Sequence, residues 1–192
     1  MVAARGRLER LDRSADVLIR PAESADAEAI SALLEATFGP TRYKRTAALL
    51  RRGALPIEGP SLVASEDDGL LGSVQFWPIA LVAGEIILPL TLLGPLAVAM
   101  PGLGIGRALL AASLGVADRI GLGPILLIGD HSYYGPFGFA ADATGGWGLP
   151  GPVERERLLL RERRPGAWPV VAQVVAADSA SAVTATMMTI DG

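Results

Sequence analysis

The chain has 192 residues, 51% of them hydrophobic, with a formal net charge of −3, one histidine (His131), and neither cysteine nor asparagine. That composition excludes disulfides, thiolate nucleophiles and Cys- or His-rich metal sites, and an acidic balance argues against a nucleic-acid binder, whose domain is ordinarily strongly basic. The length suits one domain around a single core.

Met1 to Asp16 mixes Arg5, Arg7, Arg10 and Arg13 with Glu9, Asp12 and Asp16 and has no apolar segment, so it does not read as a secretory signal. A cytoplasmic protein with a flexible amino-terminal arm over 1–15 is expected. From Asp16 the run Val-Leu-Ile-Arg predicts a short strand closed by Pro21, and Ser24 offers an N-cap for a helix with Asp26 and Glu28 in its first turn. Ile30, Leu33, Leu34 and Phe38 give that helix an apolar face. Gly39-Pro40 stops it, and Thr41 can cap a second helix running to Arg52 and ended by Gly53. Ser61 to Glu66 and Leu71 to Trp77 are strand-like, separated by the turn signal Asp67-Asp68-Gly69. Ile79 to Val82 and Ile86 to Leu90, on either side of Ala83-Gly84-Glu85, extend an antiparallel meander.

The 21 residues from Ile86 to Gly106 carry no charge, enough to span a bilayer if they were one helix. Pro89, Pro95 and Pro101 with Gly94, Gly102, Gly104 and Gly106 forbid that helix. The segment reads instead as buried strand and glycine loop, with Leu92 to Val98 a strand apolar on both faces. Ile105 to Ile120 then shows helical spacing, Gly121 to Gly123 ends the helix, and Pro124 to Ile128 is another apolar strand. Strand, glycine loop, helix, strand is a crossover unit that pairs parallel strands. The whole is an α/β chain, a mixed sheet carrying helices. Residues 16–168 form the domain, and 169–192 a carboxy-terminal strand or tail. The apolar stretch 169 to 176 is of a kind that can pair with a neighbouring chain, which would make a homodimer.

Pro101-Gly102-Leu103-Gly104-Ile105-Gly106-Arg107 stands between strand and helix, where backbone amides can turn toward an anion. It is no dinucleotide fingerprint, because Arg107 occupies the third glycine position counted from Gly102, and no Walker loop, because Lys44 is the sole lysine. A tight strand-to-helix turn remains the plain structural alternative. After the next strand comes Gly129-Asp130-His131-Ser132-Tyr133-Tyr134-Gly135-Pro136-Phe137-Gly138-Phe139. Asp130 and Ser132 are candidate N-caps of a short tyrosine helix, and Trp77, Trp147 and Trp168 read as packing residues.

These two motifs together resemble the GNAT superfamily of acyl-CoA-dependent N-acetyltransferases. Gly104 and Gly106 match the glycines of its Q/R-x-x-G-x-G/A loop, and Tyr134, Gly138 and Phe139 match a later Tyr-x-x-x-Gly-Phe. Ile19-Arg20-Pro21 before an acidic-capped helix is also similar. Leu93-Gly94-Pro95-Leu96-Ala97-Val98 and the paired tyrosines look most similar to a bacterial subgroup of undefined substrate. The resemblance covers about residues 16 to 162.

It implies a central, mostly antiparallel sheet with a splayed parallel strand pair, flanked by helices. It further implies acetyl-CoA as cosubstrate and a small-molecule or peptide amine as acceptor, with no metal, nucleic acid or membrane partner. Leu96, Ala97 and Val98 would hold the pantetheine arm, and Leu103, Gly104, Ile105, Gly106 and Arg107 the pyrophosphate. Tyr134 would be the general acid for the departing thiolate; Tyr133, His131, Glu66 and Glu85 are lesser candidates for acid or base. The loop's Q/R position holds Pro101, its usual basic third position holds Leu103, and the tyrosine motif has Pro136 where a basic residue is usual. Backbone amides and Arg107 must then do what basic side chains do in relatives. Those departures motivate an alternative, a non-catalytic acyl-CoA-binding or regulatory protein of the same fold; a nucleotide-binding domain is a further rival. Arg42, Lys44, Arg45, Arg51 and Arg52 fall where the family forms one wall of its acceptor site. They read as a solvated helix face, with recognition of an acidic acceptor as the alternative.

Overall fold

Pro78 sits in mid-strand without ending the strand. In the computed structural model, which describes residues 17–67, 69–164 and 166–179, one continuous strand β3 spans Gly69–Ala83 and its antiparallel neighbour β4 spans Ile86–Val98. The shorter strands expected on either side of Pro78, and on either side of Thr91, are therefore joined. The edge that each proline nitrogen faces explains why. Thr91, opposite Pro78, donates its amide to the Pro124 carbonyl at 2.9 Å, away from β3. The two members of such a pair both point outward, so the Pro78 nitrogen also faces away from its partner. It falls in the gap between β2 (Leu62–Glu66), whose pairing reaches only to Val74, and β8 (Ala172–Ala176), whose pairing starts at Ile79. No ladder bond is lost there.

The remaining strands are β1 (Leu18–Pro21), β5 (Ile125–Ile128), β6 (Trp147–Gly148) and β7 (Leu158–Arg161). The order is β1-β2-β3-β4-β5-β7, with β8 beside the second half of β3 and β6 beside β8. Among the described residues only β4/β5 and β6/β8 pair in parallel, so the sheet is mixed and mostly antiparallel, as the resemblance implied. Ala172–Ala176, in the stretch expected to pair with a neighbouring chain, takes its partners from this same sheet. The arm over 1–15, Asp68 of the expected turn and residues 180–192 lie outside the described residues.

Helices α1 (Ala27–Phe38), α2 (Thr46–Leu50), α3 (Ile105–Arg119) and α4 (His131–Tyr134) accompany the sheet. Alternation along the strands divides the core between the two faces. Leu109, Leu110 and Leu114 of α3 pack with Leu62, Ala64, Val74 and Phe76 on one face. Ile30, Leu33 and Leu34 of α1 pack with Val63 and Ala97 on the other, beside Leu50 of α2 with Ile79, Leu81 and Leu92. Trp147 is fully buried and meets Trp168 edge to face at 5.6 Å, a packing role for both. No helix among the described residues is long and apolar enough to cross a membrane, and the uncharged 86–106 run is strand, loop and first helical turn.

Two helix starts differ from expectation. Ser24 is not the cap: Glu23 takes that position, ahead of a 3₁₀ turn (Ser24–Asp26), and the Asp26 carboxylate accepts from the Glu23 amide at 2.8 Å while gripping Arg20 bidentately at 2.7 Å. A charge-assisted bidentate pair holds the turn more firmly than a serine hydroxyl could. Thr41 does not start one long helix either. Pro40–Lys44 is a 3₁₀ turn, Arg45 is extended, and only Thr46–Leu50 is α-helical. The Thr46 hydroxyl donates to the Pro152 carbonyl at 2.7 Å, tying α2 to a distant loop.

Arg161 links three pieces at the far edge of the sheet. It pairs bidentately with Asp118 near the end of α3 at 2.8 Å and donates through Nε to the Phe137 carbonyl, just after α4, at 3.0 Å. The Arg161 hydrogen bonds hold the Asp118 carboxyl below its ordinary value. A depressed carboxyl stabilises the fold above its unfolded range and loses that contribution as pH falls through its folded value. We expect Asp118→Asn to cost about 1 kcal/mol in urea unfolding at pH 7, the scale of a partly exposed pair. The difference from wild type should shrink below about pH 4; an equal gap at both pH values would deny the pair this role.

Candidate active site

Between β4 and β5 the ladder is very short: Thr91 registers with Ile125 and Leu92 with Leu126, and there the pairing stops. Beyond it β4 carries one extra residue. Two steps along β3, from Val74 to Phe76, oppose three along β4, from Leu96 to Leu93, and Gly94 at φ +128° takes the conformation that a side chain would resist. Leu93–Val98 therefore keeps β3 on one side and has no strand on the other. The space opened is a cleft of about 1010 Å³ running between the two strands.

One rim is the glycine loop. Gly102 and Gly104 have φ of +87° and +80°, which reverses the chain from β4 into α3. The first helical bond runs from the Ala108 amide to the Gly104 carbonyl at 3.0 Å, leaving the amides of Ile105, Gly106 and Arg107 outside the helical ladder. Gly106 reaches the cleft; a Cβ there would stand 3.0 Å from the Tyr133 hydroxyl and 3.5 Å from Val98. Of the residues proposed from sequence, Leu96, Ala97, Val98, Gly106 and Tyr134 line the cleft together. Leu103, Gly104, Ile105 and Arg107 belong to the adjoining loop and first turn, outside the lining. Leu103 and Ile105 turn their side chains into the core, and the Arg107 guanidinium lies 5.3 Å over the Phe137 ring.

The opposite rim is α4. Tyr133 and Tyr134 meet edge to face at 4.9 Å, and Tyr134 meets Phe139 at 5.9 Å. Gly129, at the end of β5, makes room for Tyr134: a Cβ there would lie 2.4 Å from the ring. Among the described residues no hydrogen-bond partner holds the Tyr134 hydroxyl, and the residue lines the cleft with its ring half-buried. Burial first, then the neighbouring Tyr133 and Asp130, pushes its pKa up to about 12. Burial also raises Tyr133, with Arg107 opposing.

The remaining candidates sort differently from expectation. Neither Asp130 nor Ser132 caps α4 through its side chain; the Tyr133 and Tyr134 amides bond the Asp130 carbonyl at 3.0 and 3.1 Å. The Asp130 carboxylate is instead drawn to Arg157, 3.3 Å from its Nε, an ion pair without hydrogen-bond alignment. His131 is exposed and packs across Gly135, and neither it nor Glu66 nor Glu85 lines the cleft. The carboxylates that do are Asp130 and Glu154. Glu154, Arg157 and Gly129 carried no role in the sequence pattern, although the charged run from Glu154 to Arg157 just before an apolar strand was a signal. Arg42, Lys44, Arg45 and Arg51 line the wall made by the 3₁₀ turn and α2, so this basic run is cleft lining where a solvated face was expected; Arg52 lies outside it. No group of three or more His, Asp or Glu side chains among the described residues could hold a metal ion.

No family model and no curated protein matches the sequence. Solved structures do. A GNAT family N-acetyltransferase (YhbS) from Escherichia coli in complex with CoA matches with a TM-score of 0.66 and 25% identity, over 82% of this chain and 89% of that one. A GNAT family acetyltransferase from Brucella melitensis in complex with acetyl-CoA matches with a TM-score of 0.60 and 29% identity, over 83% and 94%. Arabidopsis thaliana Naa50, with a bisubstrate analogue, shares the fold at a TM-score of 0.50 and 18% identity, over 76% and 97%. The splayed β4/β5 pair, the glycine loop opening α3 and the tyrosine on α4 stand around one cleft, and the matches to GNAT structures over most of their length support membership of the GNAT superfamily.

Proposed function

We propose that this protein transfers an acetyl group from acetyl-CoA to the amine of an acceptor by direct attack. The observation that carries the reading is the free edge of β4. Leu93–Val98 offers backbone donors and acceptors to an extended amide-bearing chain, such as a pantetheine arm, which would add to β4 as a strand adds to a sheet. Two relatives bear CoA or acetyl-CoA, which supports the same choice here. At the loop, the amides of Ile105, Gly106 and Arg107 fit a pyrophosphate, and the missing Gly106 side chain leaves them approachable. Arg107 and its Phe137 contact stand beside them.

Tyr134 supplies the proton chemistry in this reading. As the amine nitrogen bonds to the acyl carbon, the carbon–sulfur bond breaks and the nitrogen sheds a proton. The Tyr134 hydroxyl donates to the departing sulfur. With its pKa pushed up to about 12 the phenol is fully protonated at neutral pH, so it is always able to donate. A thiol is more acidic than that, with a reference pKa of about 8.5, so the phenol serves first as a hydrogen-bond donor to sulfur. The amine's own proton balances the sum.

Several outcomes follow. Acetyl-CoA at millimolar concentration should raise the melting temperature where NAD and ATP do not, and an amine panel should release CoA thiol. A shift without thiol release would favour the binding-only alternative, which Pro101, Leu103 and Pro136 motivate. Tyr134→Phe should lower kcat by about 10²-fold or more while the acetyl-CoA melting shift persists; a rate within twofold of wild type would remove Tyr134 from the chemistry. Gly129→Ala should reduce kcat through the displaced Tyr134 ring, again with the shift retained.

The pH dependence has a definite sign. A phenol raised above its unfolded value of about 10 adds stability below that pH, lost as pH climbs from 10 toward 12. Ultraviolet titration should show one phenol ionising near pH 12 that Tyr134→Phe removes, and any fall in kcat below pH 10 should survive the substitution.

A further inference from the structure

One wall of the cleft holds more positive charge than the protein around it balances. Arg42 is held by Glu35 at 3.1 Å and by Ser31 at 3.0 Å, and Arg157 faces Asp130. Lys44, Arg45 and Arg51 line the same cleft and make no ion pair among the described residues. Glu154 is the one acidic lining residue left to set against the three. The chain as a whole is at −3, so this excess is local.

Arg51 is the most constrained of the group. Its Nε donates to the Ala47 carbonyl at 3.1 Å and its guanidinium lies 5.5 Å over the Trp77 ring, which fixes the plane of the fork. Burial first, then Arg42, lowers its pKa to about 10, so it stays charged at neutral pH. Its two terminal nitrogens have no protein acceptor among the described residues. A cation withdrawn from water without a counter-charge is costly, and an anion arriving in the cleft would offset that cost. A guanidinium fork with its edge free matches a carboxylate in bidentate fashion. Arg45, exposed and 5.2 Å over Phe38, stands as a second cation on the same wall. These arginines come from the α1–α2 side of the sheet, whereas the loop proposed for the pyrophosphate opens α3 on the other face.

Resting on the reading of this cleft as the acyl-transfer site, we propose that the acceptor is an amine that also carries a carboxylate, and that Arg51 and Arg45 hold that carboxylate. The positive wall also draws such acceptors toward the cleft and rejects cationic ones.

The test is calorimetric titration with ω-amino acids from β-alanine to 6-aminohexanoate and with their carboxamides, with and without acetyl-CoA. The members of each pair have the same amine and differ only in the negative charge. At least one amino acid should bind about tenfold or more tighter than its amide. Arg51→Gln should erase that preference, and Arg45→Gln, at an exposed position, should reduce it. In both variants the melting shift with acetyl-CoA should persist. Equal binding of every acid and its amide, or an unchanged preference in both variants, would overturn the proposal. So would loss of the acetyl-CoA shift in the variants, because the arginines would then serve the cosubstrate's phosphates. A preference for the acid in wild-type protein that acetyl-CoA does not stabilise would uphold the carboxylate site and count against the acetyl-transfer reading alone.

Discussion

After Leu92 and Leu126 the ladder between the parallel strands β4 and β5 ends, and the functional geometry of this protein follows from that interruption. The extra residue at Gly94-Pro95 disturbs the register of β4 against β3, so that Leu93 and Leu96, three apart, both pack toward α3. A regular strand would have sent them to opposite faces. The same irregularity leaves the far edge of Leu93–Val98 unpaired. An unpaired internal edge is a liability in a sheet, and here it is the wall of a cleft whose backbone groups are open to an extended ligand.

The groups around the cleft are held by three different kinds of contact. The glycine loop relies on backbone conformation, since two residues with positive φ turn the chain and the first helical amides stay outside the helical ladder. The tyrosine rim relies on packing: Gly129 and Gly106 each lack a side chain where Tyr134 and Tyr133 need the space. Arg161, bridging Asp118 near the end of α3 and the carbonyl of Phe137, ties α3 to the chain just after α4. The third wall is electrostatic, and Lys44, Arg45 and Arg51, in no ion pair among the described residues, give the cleft a polarity that the apolar strands cannot supply.

Much of the fold was legible in residue patterning. The broken 86–106 run, the helical spacing of α3 and the order of the two motifs led to a mixed sheet with a parallel crossover, and the structure has it. The errors were local. Pro78 reads as a strand break because sequence does not tell which edge its nitrogen faces. Ser24 and Thr41 read as caps because their chemistry is right, while the contacts that decided the outcome, nearby Arg20 with Asp26 and distant Pro152 with Thr46, are not part of the cap pattern. In the site, Tyr134 was singled out through the family resemblance and the glycine loop through its place between strand and helix. Glu154 and Arg157 were not, since they reach the cleft only because β7 pairs with β5.

Sequence alone determined what depends on neighbours in the chain: strand and helix periods, the glycines that permit positive φ, the missing cysteine and the single histidine that remove whole classes of chemistry. Tertiary structure decided what depends on which surfaces meet. It withdrew Arg51 from water with no carboxylate paired to it among the described residues, drew Asp130 toward Arg157, and buried Tyr134 enough to raise its pKa. Charge and acidity in a cleft are set by the groups that converge on it through space, and no local period in the chain encodes that convergence.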